Sequence, residues 1–131
     1  MIVIDTSVFT DFLVEFDENR HCLVKKFFDK ISEHDFIIYE PFLIDVELAG
    51  ILRRKHGEKV VSDILKDLKR RIEVLDETSM HKPALDVAVK THCRAIDAYF
   101  IAAAKLTNSV LITNDRVMAE NAKKYGIKLT T

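Results

Sequence analysis

The sequence predicts an α/β domain built on a parallel sheet, and three observations lead there. Four short runs, residues 1–4, 36–39, 72–75 and 110–113, are rich in apolar or β-branched side chains. The first, second and fourth are unbroken, the pattern of strands covered on both faces rather than strands with one wet face. Longer stretches with helical periodicity separate them, and strands alternating with helices favour a parallel sheet with right-handed crossovers. The chain has 131 residues, the size of one ordinary domain, and its 48% hydrophobic and 31% charged residues are a balance that supports a buried core.

Each element follows from local pattern. The first strand, residues 1–4, runs into Asp5, which opens on Thr6-Ser7. A helix is expected over 22–31, where Leu23, Val24, Phe27, Phe28 and Ile31 form an apolar stripe. After the second strand, Pro41 suits the first position of a helix that runs to about residue 56, ahead of Gly57. Residues 58–69 gather Val60, Val61, Ile64, Leu65 and Leu68 on one face. Further helices are expected at 79–91, 96–106 and 115–125; Gly126 suits the end of the last, and residues 127–130 could add a fifth strand. Three glycines and two prolines leave no room for a linker, so residues 1–131 read as a single domain.

Composition narrows the function. No apolar run approaches the roughly 20 residues needed to cross a bilayer, and Met1-Ile2-Val3-Ile4-Asp5 lacks the basic start of a signal peptide. A cytoplasmic protein without membrane partners is therefore expected. Cys22 and Cys93 are isolated and read as small apolar fillers, and the histidines at 21, 34, 56, 81 and 92 show no HExxH spacing. Any metal would be held by oxygen. The formal net charge of −1 argues against a protein that simply coats nucleic acid. It is compatible with a nuclease, whose acidic metal site subtracts from the total.

In an open parallel sheet, sites form at the carboxyl ends of the strands, near the reversal of strand order. That rule selects Asp5, after the first strand, and Asp115, which follows Val110-Leu111-Ile112-Thr113-Asn114 and begins a helix. Either could serve instead as a helix N-cap. Glu47 shares a helical face with Leu43, Ile44, Gly50 and Ile51, so its carboxylate needs a cation or a donor. Asp45 has a similar environment, and periodicity does not choose between them. Asp97 heads the apolar stretch Ala98-Tyr99-Phe100-Ile101-Ala102-Ala103-Ala104 and could be a ligand or a cap. Taken together, four carboxylates on four segments would converge at one sheet edge, an oxygen-rich cluster of the kind that holds Mg2+ or Mn2+. Ser7, Thr113 and Asn114 stand beside the acids as hydroxyl and amide partners, either orienting them or serving the turns themselves.

At these residues the chain resembles the PIN-domain nucleases, and within them the VapC-type toxins of prokaryotic toxin–antitoxin pairs. The resemblance rests on Ile2-Val3-Ile4-Asp5-Thr6-Ser7, the stretch from Pro41 to Glu47, Asp97-Ala98 at the head of an alanine-rich helix, and Leu111-Ile112-Thr113-Asn114-Asp115. It implies a three-layer α/β/α fold with a sheet of four to five strands ordered 3-2-1-4-5 and about seven helices. It implies an acidic quartet of Asp5, Glu47, Asp97 and Asp115 that binds Mg2+ or Mn2+, with Ser7 or Thr6 and Asn114 as polar support. By the same match Glu47 takes precedence over Asp45. The implied activity is endoribonuclease cleavage, with RNA as substrate, a cognate antitoxin as partner and a homodimer as the assembly. Arg94 and Arg116, next to quartet members, could contact phosphate.

Other readings make different demands. A haloacid-dehalogenase phosphatase needs a second Asp two residues after the first, where this chain has Ser7. A response-regulator receiver needs an acidic neighbour that Asp5 lacks. A PIN nuclease working in RNA processing or on DNA, or a catalytically silent PIN module, are the remaining alternatives; loss of a quartet member would favour the silent module, and all four are present.

Overall fold

The structure, a computed structural model, describes residues 1–14 and 17–130. Strands β1 (Ile2–Ile4), β2 (Ile38–Pro41), β3 (Glu73–Leu75), β4 (Val110–Ile112) and β5 (Leu129–Thr130) form one sheet in the order β3-β2-β1-β4-β5. All neighbours are parallel, with Ile2 opposite Ile38 on one side and Val110 on the other. The helices are α1 (Thr6–Leu13), α2 (Glu18–His34), α3 (Ile44–Leu52), α4 (Glu58–Arg71), α5 (Glu77–Thr91), α6 (Ala95–Thr107) and α7 (Arg116–Lys124). The strand order, parallel pairing and flanking helices are those expected of an α/β/α domain.

The core explains the composition. Ile2, Val3 and Ile4 are buried, as are Leu111 and Ile112 in β4. Helix α6 packs across β2, β1 and β4, and α5 packs on α6. Ala98, Ala102, Ala103 and Ala104 let α6 approach the sheet closely, while Phe100 and Ile101 fill the remaining space. Gly126 stands just past α7 with φ +84, a left-handed backbone that glycine adopts without strain.

Several expectations need correction. The second strand lies two residues later than residues 36–39, because Phe36 and Ile37 are exposed ahead of the sheet. Pro41 is therefore the last residue of β2, opposite Leu75, and α3 begins at Ile44. Both places tolerate a missing N–H, which is why Pro41 suited either. Helix α1 was not anticipated, and α2 starts at Glu18 rather than residue 22, capped by Asp17, which accepts from the Arg20 N–H. Cys22 is exposed on α2, so it fills no core.

Candidate active site

The order of strands reverses about β1: the chain moves from β1 to β2 and β3, then returns to place β4 on the other side. A cavity of about 390 Å3 opens beyond the carboxyl ends of these strands. Asp5, Glu47, Asp97 and Asp115 all line it, together with Arg20 and Arg94. Four acids that are distant in sequence thus meet as the sheet rule required.

Each of the four acids is held differently. Asp5 is the N-cap residue of α1, yet its side chain makes no capping bond. Its Oδ2 instead accepts from Ser7 Oγ and Thr113 Oγ1, each at 2.8 Å. The main chain is fixed as well, since the Asp5 N–H donates to the Ile112 carbonyl at 2.9 Å. Burial pushes the Asp5 carboxyl above its usual value, against the two hydroxyls.

Glu47 lies in the opening turns of α3, and its buried Oε2 has no hydrogen-bond partner among the described residues. Burial, then the nearby Asp5 charge, pushes its carboxyl up. Thr6 lies close enough to steady the charged form, yet its own buried hydroxyl makes no hydrogen bond of good geometry. Asp45, by contrast, is paired with Lys69 at 2.9 Å and does not line the cavity, whereas Glu47 does.

Asp97 sits in the third position of α6, with Arg94 as the N-cap residue, so it is no cap. Its Oδ2 is buried without a hydrogen-bond partner and lies 3.6 Å from Arg94 Nη2. Burial raises its carboxyl, with Arg94 opposing the shift and Asp115 and Asp5 adding to it. Asp115 does cap α7, since Oδ1 accepts from the Val117 and Met118 N–H groups. Its Oδ2 is 3.8 Å from the same Arg94 nitrogen. One oxygen of Asp115 serves the helix and the other serves the cavity.

Two hydroxyls, those of Ser7 and Thr113, contact Asp5. Thr113 Oγ1 donates to Asp5 and accepts from the Asp115 N–H at 2.9 Å, tying two acids together. Ser7 Oγ donates to Asp5 and accepts from the Asn114 N–H at 3.1 Å. The Asn114 side chain behaves differently: its Nδ2 donates to Asp11 Oδ2 at 2.6 Å rather than to a member of the quartet. Arg116 does not line the cavity; it lies on the outside of α7, 3.6 Å from Glu120 one turn on.

Two features were not read from the sequence. Asp11 is buried on α1, paired with Arg20 at 3.4 Å, and both line the cavity. Ser7 and Asp11 are four residues apart, so a helix recognised here would have put them on one face. Glu40 is fully buried at the end of β2, where Oε2 accepts from the Ile4 N–H at 3.3 Å and Oε1 has no partner among the described residues. Burial pushes its carboxyl well above the usual range. Its place at a strand end beside Pro41 is the signal that could have found it.

The donor set suits a hard divalent cation: all the acids offer oxygen, two buried oxygens lack partners, and three of the four carboxyls are raised by lost solvation. Among the described residues, no three His, Cys, Asp or Glu side chains stand close enough to form a ready-made ligand group. An ion would therefore draw the carboxylates inward rather than enter a finished cage.

A parallel α/β/α sheet of this order with an acidic cavity at the reversal point defines the PIN-like class of fold. The chain matches the PIN domain over residues 2–124, and it belongs to that family, whose members are generally nucleases that use divalent metals. No curated protein matches it closely enough to be counted. Among solved structures it is similar to VapBC2 from Rickettsia felis bound to a DNA fragment from their promoter, with 12% identity over 99% of this chain and 98% of that one, TM-score 0.74. It is similar to a toxin–antitoxin complex from Klebsiella pneumoniae at 16% identity, covering 100% of this chain and 97% of that one, TM-score 0.70. FitAcB from Neisseria gonorrhoeae is 22% identical, with 100% and 97% coverage and TM-score 0.64.

Proposed function

We propose that this chain is a Mg2+- or Mn2+-dependent endoribonuclease, the VapC-type toxin of a type II toxin–antitoxin pair. The observation that carries the reading is that Asp5, Glu47, Asp97 and Asp115 line one cavity, with Glu47 Oε2 and Asp97 Oδ2 buried and without hydrogen-bond partners among the described residues, Asp97 facing only Arg94 at 3.6 Å. Such oxygens cost free energy unless a cation or a proton satisfies them. Ser7 and Thr113 hold one oxygen of Asp5, and α7 holds one oxygen of Asp115, so each acid is oriented before any ligand arrives. Glu47 and Asp97 supply the uncommitted oxygens. A divalent ion bound there supplies Lewis acidity toward a phosphodiester and neutralises developing charge. Arg94 stands at the mouth of the cluster, where it can turn from Asp97 and Asp115 to a substrate phosphate.

RNA as substrate, a cognate antitoxin and a homodimer come with the VapC-type reading; the toxin–antitoxin complexes among the similar structures support the antitoxin. That substrate places the activity in the cytoplasm. No helix among the described residues is long and apolar enough to cross a membrane. A catalytically silent PIN module is the second reading, favoured by the absence of a ready-made ligand group among the described residues.

The deciding experiment incubates the protein with defined RNAs and single-stranded DNA in Mg2+, Mn2+ or EDTA. Cleavage of RNA with either ion, and its loss in EDTA, is the expected outcome. Cleavage of DNA alone would move the reading to a DNA nuclease, and no metal-dependent cleavage of any substrate would favour the silent module.

A further inference from the structure

We propose that Arg20 is a phosphate-binding residue for the nucleic-acid strand at the carboxylate cavity, held ready by Asp11 and Asn114. The inference rests on the RNA reading above and extends it to a residue outside the acidic quartet.

A cavity lined by four carboxylates repels a phosphate backbone, so a nuclease of this design needs fixed cations beside the acids. Two guanidinium groups reach the cavity. Arg94 is already engaged with Asp97 and Asp115 at 3.6 and 3.8 Å. Arg20 pairs instead with acids outside the quartet: its Nη2 lies 3.4 Å from Asp11 Oδ1 and its Nε 3.9 Å from Asp17. The Arg20 side chain is 54% exposed, open to a ligand in the cavity that it lines.

The support for Arg20 is more than a surface ion pair. Asp11 is 4% exposed, and both of its oxygens are used, Oδ2 by Asn114 Nδ2 at 2.6 Å and Oδ1 by Arg20. Asp11 is buried although Arg20 is half exposed, so removing the guanidinium would leave the Asp11 charge without its cation. The main chain is held too: the Arg20 N–H donates to Asp17 Oδ1 at 3.1 Å. His21 Nδ1 lies 3.1 Å from the Asp11 carbonyl and its ring stacks on Phe12, which docks the start of α2 onto α1.

This support connects to the reaction centre. Asn114, which holds Asp11 through its side chain, takes Ser7 Oγ through its backbone N–H, and Ser7 donates to Asp5. The guanidinium is thus placed relative to Asp5 by a continuous set of contacts. An arginine immobilised before binding loses less conformational entropy on taking a phosphate, and its planar fork matches two phosphate oxygens. A role only as counter-ion to Asp11 would be served by a side chain folded away from the cavity.

The test compares wild type, Arg20→Gln and Arg20→Lys on a defined single-stranded RNA. Arg20→Gln is expected to raise KM about tenfold, with kcat changed less than about twofold, and to lower the slope of log Kd against log salt by about 0.7. Arg20→Lys restores the salt slope, because the charge remains. Mn2+ affinity, measured by calorimetry without RNA, stays at the wild-type value in both. Wild-type KM and salt slope in Arg20→Gln, while wild type cleaves RNA, would overturn the role of Arg20 and leave the nuclease reading intact. A fall in Mn2+ affinity would make Arg20 a support of the acid cluster instead, also overturning it. Failure of wild type to bind or cleave RNA would remove the nuclease reading, and this proposal with it.

Discussion

Asp11 and the pair Glu47 and Asp97 line the same cavity under different electrostatic conditions. Asp11 is buried and satisfied, with Asn114 on one oxygen and Arg20 beside the other. Glu47 Oε2 and Asp97 Oδ2 are buried without hydrogen-bond partners, and burial raises both carboxyls. A buried carboxylate can be stabilised by an organic cation, by a proton or by a metal ion. Asp11 has taken the first route. Glu40, fully buried with its carboxyl pushed well above the usual range, suits the second. The oxygens of Glu47 and Asp97 that lack hydrogen bonds fit the third, even with Arg94 3.6 Å from Asp97, and this difference marks the side where the proposed metal would bind.

The largest expected effect comes from breaking the unsatisfied side. Asp97→Asn removes a charge that Arg94 only partly offsets. Cleavage should fall roughly 100-fold or more, and Mn2+ affinity should fall with it. The melting temperature of the metal-free protein should stay level or rise, because a destabilised charge is gone. Calorimetric titration with Mn2+ and a thermal scan in EDTA check both. Unchanged Mn2+ affinity would mean that Asp97 belongs with Asp11 as a structural acid.

Glu40→Gln sharpens the second route and should act on stability. Carboxyls raised in the fold stabilise it when protonated, so their contribution is complete below the ordinary values of 3.8 for Asp and 4.5 for Glu. That contribution is lost as pH rises through the raised values. Asp76 and Asp86 run the other way: hydrogen bonds from Ser79 and Tyr125 lower their carboxyls, and their contribution is lost as pH falls through the depressed values. The metal-free protein should therefore be most stable on the mildly acid side of neutrality. Gln at position 40 keeps an acceptor for the Ile4 N–H and has no proton to lose. It should raise the melting temperature at neutral pH and flatten the profile, measured by thermal scans across pH in EDTA. A profile as steep as wild type would mean that Glu40 does not account for the pH dependence.

The same comparison explains which features were legible in the sequence. Asp5 and Asp115 stand after unbroken apolar strands, and Glu47 projects from an apolar helix face, so each could be found by pattern. Asp97 depended on its resemblance to a family, because an acid at a helix start is a common cap. The satisfied side was missed with α1, whose eight residues, Thr6–Leu13, are too few for helical periodicity to stand out. Without α1, Asp11 had no face to share with Ser7, and Arg20 had no reason to be singled out. Glu40 was missed because Pro41 fits a helix start as well as a strand end, which moved the boundary of β2 by two residues.

The smallest expected effect distinguishes two arginines that looked alike in sequence, each next to a quartet acid. Arg94 occupies the N-cap position of α6 without a side-chain capping bond, and its side chain reaches two acids from separate segments. Arg116 is the first residue of α7, just after the capping Asp115, and it runs along the outside toward Glu120 with 92% of its side chain exposed. Solvent screens such a pair, and long side chains lose entropy in forming it. Arg116→Ala should therefore leave RNA cleavage within about twofold of wild type, and Mn2+ affinity and melting temperature nearly unchanged. Arg94→Ala should change both cleavage and Mn2+ affinity, because a charge facing Asp97 and Asp115 is removed. Equal responses from the two variants in parallel cleavage and calorimetric assays would mean that sequence adjacency to the acids, rather than reach into the cavity, decides which arginine matters.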